Sequence, residues 1–339
     1  MQFFHLGIFY RHAVHIFEVD GGTAREIAYD PGMFDFGAVR FDPPLSPELG
    51  FAGFRLHFHT NFQQDVAVFQ GASYFRATDR NNQYGLSGRG LAVDSGFLDQ
   101  PEEFPVFTRY WLVRPRPTDT VLTVYALLES ESAIGAFRFG VAPGGVTIMD
   151  VTSHLVMRRQ VRRLGFAPLT SMYQFGENDR RVSDDWRQEI HDSDGLAMWR
   201  GNGEWVWRPL VNPPQLRVSW FSDENPRGFG LLQRDRKFDS YQDEGARYEA
   251  RPSLWVEPLH DWGKGGFHLV ELPTADETVD NVVAFWTPIE PPAPGQELEL
   301  RYKLHWCPDP PARPPRPIRV AMHWASGGRA GGSGHQCSL

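Results

Sequence analysis

Thiols are almost missing from this chain: its 339 residues contain two cysteines, Cys307 and Cys337, both close to the C-terminal end. The body of the chain therefore offers no disulfide framework, no Cys-based zinc site and no thiolate nucleophile. Such scarcity fits an oxidising compartment without deciding it. Positive charge is also short, with 34 Lys and Arg against 42 Asp and Glu and a net charge of −8. A nucleic-acid surface needs a basic footprint, so that partner class is set aside. No apolar run approaches the ~18 residues of a membrane span. The opening "MQFFHLGIFYRHAVHIFEV" lacks the basic region, apolar core and small-residue cleavage site of an export signal. Nucleotide and metalloprotease motifs are missing too: "WGKGG" (262–266) and "GNG" (201–203) read as tight turns, and neither H-E-x-x-H nor G-x-S-x-G occurs.

What the chain does have is rings and turn formers. Aromatic residues make up 14%, with 33 Gly and 27 Pro, a mixture suited to an all-β protein with long loops. Short alternating or apolar runs bounded by Gly, Pro or acids predict strands at 51–59, 65–77, 105–115, 120–130, 136–143, 204–210, 215–223, 253–259, 265–274, 281–288 and 298–306. The basic segment 151–166 reads equally as a short helix or as a strand and surface turn. Strands without helices between them predict antiparallel sandwich packing. The tail differs: "CPDPPARPPRP" (307–317) and "ASGGRAGGSGH" (325–335) predict a semi-extended linker and a flexible end.

Several patterns carry chemistry. His57 and His59, two apart on a strand, share a face but lack a third ligand, so solvated histidines and no metal are expected. The stretch His191–Leu210, "HDSDGLAMWRGNGEWVWRPL", interleaves three acids with three tryptophans. Strand alternation puts Trp205 and Trp207 on one face and Glu204 with Arg208 on the other. Two such indoles serve equally as core or as a flat platform for pyranose C–H faces, and the acids and arginines around them favour the platform. Glycoside cleavage needs two carboxyl groups, one protonated and one ionised. Loop acids are plentiful: Asp184, Asp185, Glu189, Asp192, Asp194, Asp223, Glu224, Asp235, Asp239, Asp276, Glu277 and Asp280. Spacing alone does not pair them.

A chain of motifs in order then becomes recognisable: "GASYFRA" (71–77), "YGLSGRGLAVDS" (84–95), "EEFPVF" (102–107), "APLTSMYQFGEND" (167–179), "HDSDGL" (191–196), "GNGEWVWRPL" (201–210), "NPRGFGLLQRDR" (225–236), "RYEARPSLWVEP" (247–258), "WGKGG" (262–266) and "DNVVAFWTP" (280–288). From about residue 2 to 306 the sequence resembles the periplasmic glucan biosynthesis protein G/D family. The resemblance implies a galactose-mutarotase-like antiparallel β-supersandwich over 1–306, acting on osmoregulated β-1,2-glucan in the periplasm. It implies a glycoside hydrolase or transglycosylase with two essential aspartates, here Asp192 and Asp280, and no cofactor. The assignment favoured is Asp280 as acid and Asp192 as base, and the reverse stays open. Carried over more loosely as substrate contacts are Tyr248, Arg251, Trp205, Trp207 and Arg208, with Tyr74, Arg76 and Arg89 as cleft groups. The alternative is a non-catalytic glucan-binding factor. The sequence departs from the family in lacking an export signal. The immunoglobulin-like C-terminal domain is also expected to be largely absent, with 307–339 a linker and truncated tail. Apolar surface left bare by that loss would favour self-association, for instance as a homodimer.

Overall fold

The computed structural model describes residues 1–7, 12–180 and 184–312. Most of the expected Pro/Gly-rich tail, including Cys337, lies outside the described residues. The chain folds as an all-β sandwich of two large sheets, one of ten strands and one of eleven, beside a two-stranded pair made by Tyr173–Phe175 and Ile190–His191. Pairing is antiparallel almost throughout; the strand His15–Asp20 runs parallel to Val106–Val113.

Alternation explains the second sheet. In Leu122–Glu129, Val124, Ala126 and Leu128 point into the sandwich, while Tyr125 is exposed. The same period runs through Thr147–Met157. The basic segment that read as helix or strand is therefore strand up to Met157. Its arginines occupy a turn, and a second strand, Leu164–Ser171, follows. That strand is buried along its whole length, because it lies inside the first sheet with Ser87–Arg89 on one side and Val282–Pro288 on the other. One large core cluster draws on both sheets. Phe75 belongs to it, with ring centroids 5.0 Å from Phe139 and 6.2 Å from Trp306. The ring crosses Gly88, where a Cβ would meet it at 2.7 Å.

Burial of Phe75 has a consequence for its neighbours. Successive side chains alternate across a sheet, so Tyr74 and Arg76 share the opposite face. Register pairs Tyr74 with Arg89 and Phe75 with Gly88. The outer face of the first sheet thus displays Tyr74, Arg76, Ser87 and Arg89 side by side.

The "GNG" turn joins Gly195–Trp199 to Trp205–Pro209 in the second sheet, with Gly203 at φ +93°, a conformation that favours glycine. Here Val206 packs toward the core, while Trp205 and Trp207 lie on the outer face with Trp199, Ala197 and Trp255.

Candidate functional site

Asp280 and Asp192 hang from one short piece of chain, Ser171–Tyr173. On one side, Asn281 is fully buried. It accepts from the Tyr173 amide at 2.8 Å and donates to the Tyr173 carbonyl at 3.0 Å and the Leu272 carbonyl at 2.9 Å. That clamp closes the loop between Lys264–Glu271 and Val282–Pro288 and fixes Asp280 at its end. On the other side, the Asp192 amide donates to the Met172 carbonyl at 2.8 Å, and the Ser171 and Ser193 hydroxyls lie 2.6 Å apart. Two loops 88 residues apart in sequence are thereby set against the same strand end.

Each carboxylate faces an arginine. Arg251 pairs with Asp192, which is 3% exposed. The Arg251 guanidinium lies 4.2 Å over the ring of Tyr248 and donates from Nε to the Ala246 carbonyl at 3.1 Å. Arg76 reaches Asp280 at 3.3 Å and donates to the Ser87 hydroxyl at 2.5 Å. Loss of water around Asp280 pushes its carboxyl above the ordinary range; Arg76 opposes that rise and the nearby Asp192 charge reinforces it. Burial also works against charge on Arg251, but Asp192 outweighs it and holds the guanidinium firmly protonated. The surroundings of the two differ: Asp192 is buried against Arg251, while Asp280, beside Arg76, stays partly open to solvent and is pushed toward its protonated form by loss of water.

The remaining expected residues divide. Tyr74 and Arg89 join Arg76 on the same face. Arg89 is 1% exposed, pairs with Glu102 at 2.7 Å and sits over the rings of Tyr74 and Phe104. It is close enough to Asp280 to lower its proton affinity. The Tyr248 hydroxyl donates to Glu277 at 2.7 Å. The structure does not bring Trp205, Trp207 and Arg208 into this group. Trp205 stacks between Trp199 at 5.2 Å and Trp255 at 5.6 Å. Trp207 lies against Gly195 and beneath Arg234. Arg208 crosses the sandwich to the fully buried Glu271 at 2.9 Å. The partners of all three are protein groups other than the two aspartates.

Sequence reasoning missed Asn281, Gln233 and His191, and named Glu277 only as one of many loop acids. Gln233 donates through Nε2 to the carbonyls of His191 and Tyr248, so its Oε1 is left to accept from His191 Nδ1 at 2.9 Å. The other ring nitrogen meets Glu189 at 2.8 Å. Burial opposes charge on His191, yet Asp194 and Glu189 raise it to about 9. The imidazolium sits one residue before Asp192 and is stacked on Tyr173, so it braces the loop from below. Around it, Glu189 and Asp194 with His191, and Glu177, Glu189, Asp194 and Asp235 as a second set, present ligand atoms within 4.8 Å of one another. These are the groups that could hold a cation. His57 instead pairs with Asp65 at 3.2 Å.

Residues 1–337 match the family described as "Periplasmic glucan biosynthesis protein, MdoG". "Probable glucans biosynthesis protein D" of Shewanella oneidensis is 56% identical over 331 residues, which are 97% of this chain and 61% of that protein. "Glucans biosynthesis protein D 1" of Ralstonia nicotianae is 55% identical over 344 residues, 97% of this chain and 64% of that one. The chain thus spans less than two thirds of the length of these relatives. Among solved structures, the GH36 alpha-galactosidase AgaA of Geobacillus stearothermophilus aligns with 75% of this chain and 32% of its own at 9% identity and a TM-score of 0.28, too slight a likeness to support an inference. The family's description places it in the periplasm, and no helix among the described residues is long and apolar enough to cross a membrane. With the family's pattern matching residues 1–337 and more than half of the aligned residues identical to those of these relatives, this chain belongs to the periplasmic glucan biosynthesis protein MdoG family.

Proposed function

We propose that the sandwich over residues 1–306 binds linear β-1,2-glucan and cleaves or transglycosylates its backbone by acid/base catalysis. Asp280 is the general acid and Asp192 the general base. The observation that carries this reading is the meeting of two carboxyls at one strand end in unequal surroundings: Asp280 lies beside Arg76, partly open to solvent and pushed toward its protonated form by loss of water, while Asp192 is buried against Arg251. Acid/base catalysis at a glycosidic bond needs that division, because one group must give a proton while the other takes one. Tyr74, Arg76 and Arg89 on one side and Tyr248 with Arg251 on the other supply hydroxyl and guanidinium donors for sugar oxygens. No protein group is required to act as a covalent nucleophile.

Incubation with linear β-1,2-glucan should give shorter or cyclised products. Asp280→Asn and Asp192→Asn should each lower the rate by about 10²–10⁴-fold, the range of general acid–base contributions, while glucan affinity persists. Because both carboxylates sit in ion pairs, a binding wall without chemistry also fits the contacts. Retention of full glucan processing by Asp280→Asn would select that second reading, a glucan-binding factor.

A further inference from the structure

An open cavity of about 660 Å³ lies between the segment around Trp186 and the single helical turn Phe238–Tyr241. Its size falls in the roughly 300–1,000 Å³ range of small-ligand sites. Neither Asp192 nor Asp280 lines it. Trp186 and Phe238 line it and are 67% and 44% exposed. Single exposed rings are ordinary on soluble proteins; two at one cavity, beside Asp239, Gln242 and Glu244, form a combined apolar and hydrogen-bonding surface.

The wall behind these rings is fixed. Arg187 donates to Asp185 at 2.8 Å, to Asp243 at 2.6 Å and to Glu277 at 2.8 Å. Glu277 Oε2 also accepts from Tyr248, whose ring carries the Arg251 that pairs with Asp192. The cavity is therefore joined through partly buried hydrogen bonds to one flank of the aspartate pair, and these hold its wall in place before binding.

We infer that this cavity is a distal subsite for the same polysaccharide: it takes a glucosyl unit remote from the reacting bond, with Trp186 and Phe238 against pyranose C–H faces and the side chains of Asp239, Gln242 and Glu244 on ring hydroxyls. The inference rests on the glucan reading of the aspartate site. It makes affinity depend on chain length, since only a polymer long enough to span both regions uses it.

The test is binding and initial rates of the full chain, wild type and Trp186→Ala, on a length series of linear β-1,2-glucan fractions. Aromatic contacts contribute about 0.5–1.5 kcal/mol, so the substitution should weaken long fractions by about 3–10-fold. Short fractions should keep wild-type affinity and turnover, and raised salt should not change the difference. Phe238→Ala should show the same length dependence; both side chains are exposed, and thermal melting checks that folding is intact. Unchanged affinity for long fractions, or an equal loss at every length, overturns the subsite. A loss that disappears in high salt also overturns it, since it marks a site for a basic ligand. If the wild type itself binds no glucan, the functional reading fails; if it binds and Trp186→Ala behaves alike, the subsite alone fails.

Discussion

Arg76 tests the assignment of Asp280 most directly. Its guanidinium lies 3.3 Å from the carboxylate and lowers a proton affinity that burial has raised. A general acid works only while protonated, so activity should fall as pH rises through the Asp280 titration. Removing the positive charge takes away the opposing influence. Arg76→Gln should therefore move the alkaline limb of kcat to higher pH, whatever it does to KM through lost sugar contact. An unchanged limb, with only KM altered, would mean that Asp280 is not the titrating acid. The roles at this scale were only partly legible. The aspartates are marked by the motifs "HDSDGL" and "ETVDNVVAFW" and by family resemblance, not by spacing. Asn281, which sets Asp280, was visible as a letter beside it, but its partners Tyr173 and Leu272 lie 108 and 9 residues away. A clamp of that kind leaves no local pattern.

Strand patterning served well at the level of elements, because a two-period alternation must survive wherever one face is buried. It failed in the buried strand Leu164–Ser171, where both faces are covered and no alternation remains. The hairpin around Gly203 shows a subtler limit. Alternation correctly separates Trp205 and Trp207 from Arg208, yet it does not say what either face meets. The family resemblance, carried over loosely, made the two indoles and Arg208 contacts of one substrate. The structure puts Trp205 in a stack of three indoles and sends Arg208 from the second sheet to Glu271 in the first, where the Val211 amide also donates to that carboxylate at 2.8 Å. Arg208 thus acts as a staple between sheets. Arg208→Ala would leave Glu271 buried without its cation, a change that costs about 3–5 kcal/mol. Urea unfolding should show that loss. Joint replacement by Met at 208 and Leu at 271 should recover most of it, since an apolar pair of similar volume substitutes for a buried ion pair. Full stability of Arg208→Ala together with weakened glucan binding would restore it to the substrate contacts.

For the whole molecule, the charged cluster around His191 sets the response of stability to pH. His191 is buried, and its proton affinity rises from 6.5 to about 9, so its contribution is fully present below 6.5 and lost as pH climbs through 9. Glu177 and Asp235 are raised to about 7 and about 6, first by loss of water and then by neighbouring carboxylates. The folded state therefore holds their protons more tightly than the unfolded chain does, and stability falls as pH rises from about 4 through 7. Arg234 and the imidazolium itself soften this repulsion. Both influences act in one direction: the folded protein binds more protons, and alkali weakens it. At the acid end, Asp185 and Asp243 titrate below the ordinary range; hydrogen bonding to Arg187 leads the lowering for Asp185, and backbone amides and Arg187 overcome burial for Asp243. Their contribution is present above pH 4 and is lost as pH falls further. Thermal melting should therefore show a maximum at mildly acidic pH and a decline of several degrees toward pH 9. Glu177→Gln with Asp235→Asn removes two of the repelling charges while leaving His191, Glu189 and Gln233 in place. That double variant should melt higher than the wild type at pH 8 and close to it at pH 5. The same scans with and without a chelator separate protons from a bound cation as the neutralising agent. The imidazolium, with a hydrogen-bond acceptor at each ring nitrogen, makes the expected outcome a melting curve that the chelator does not move. A melting temperature flat from pH 6 to 9, or a chelator that lowers it, would show that protons are not what neutralises this cluster.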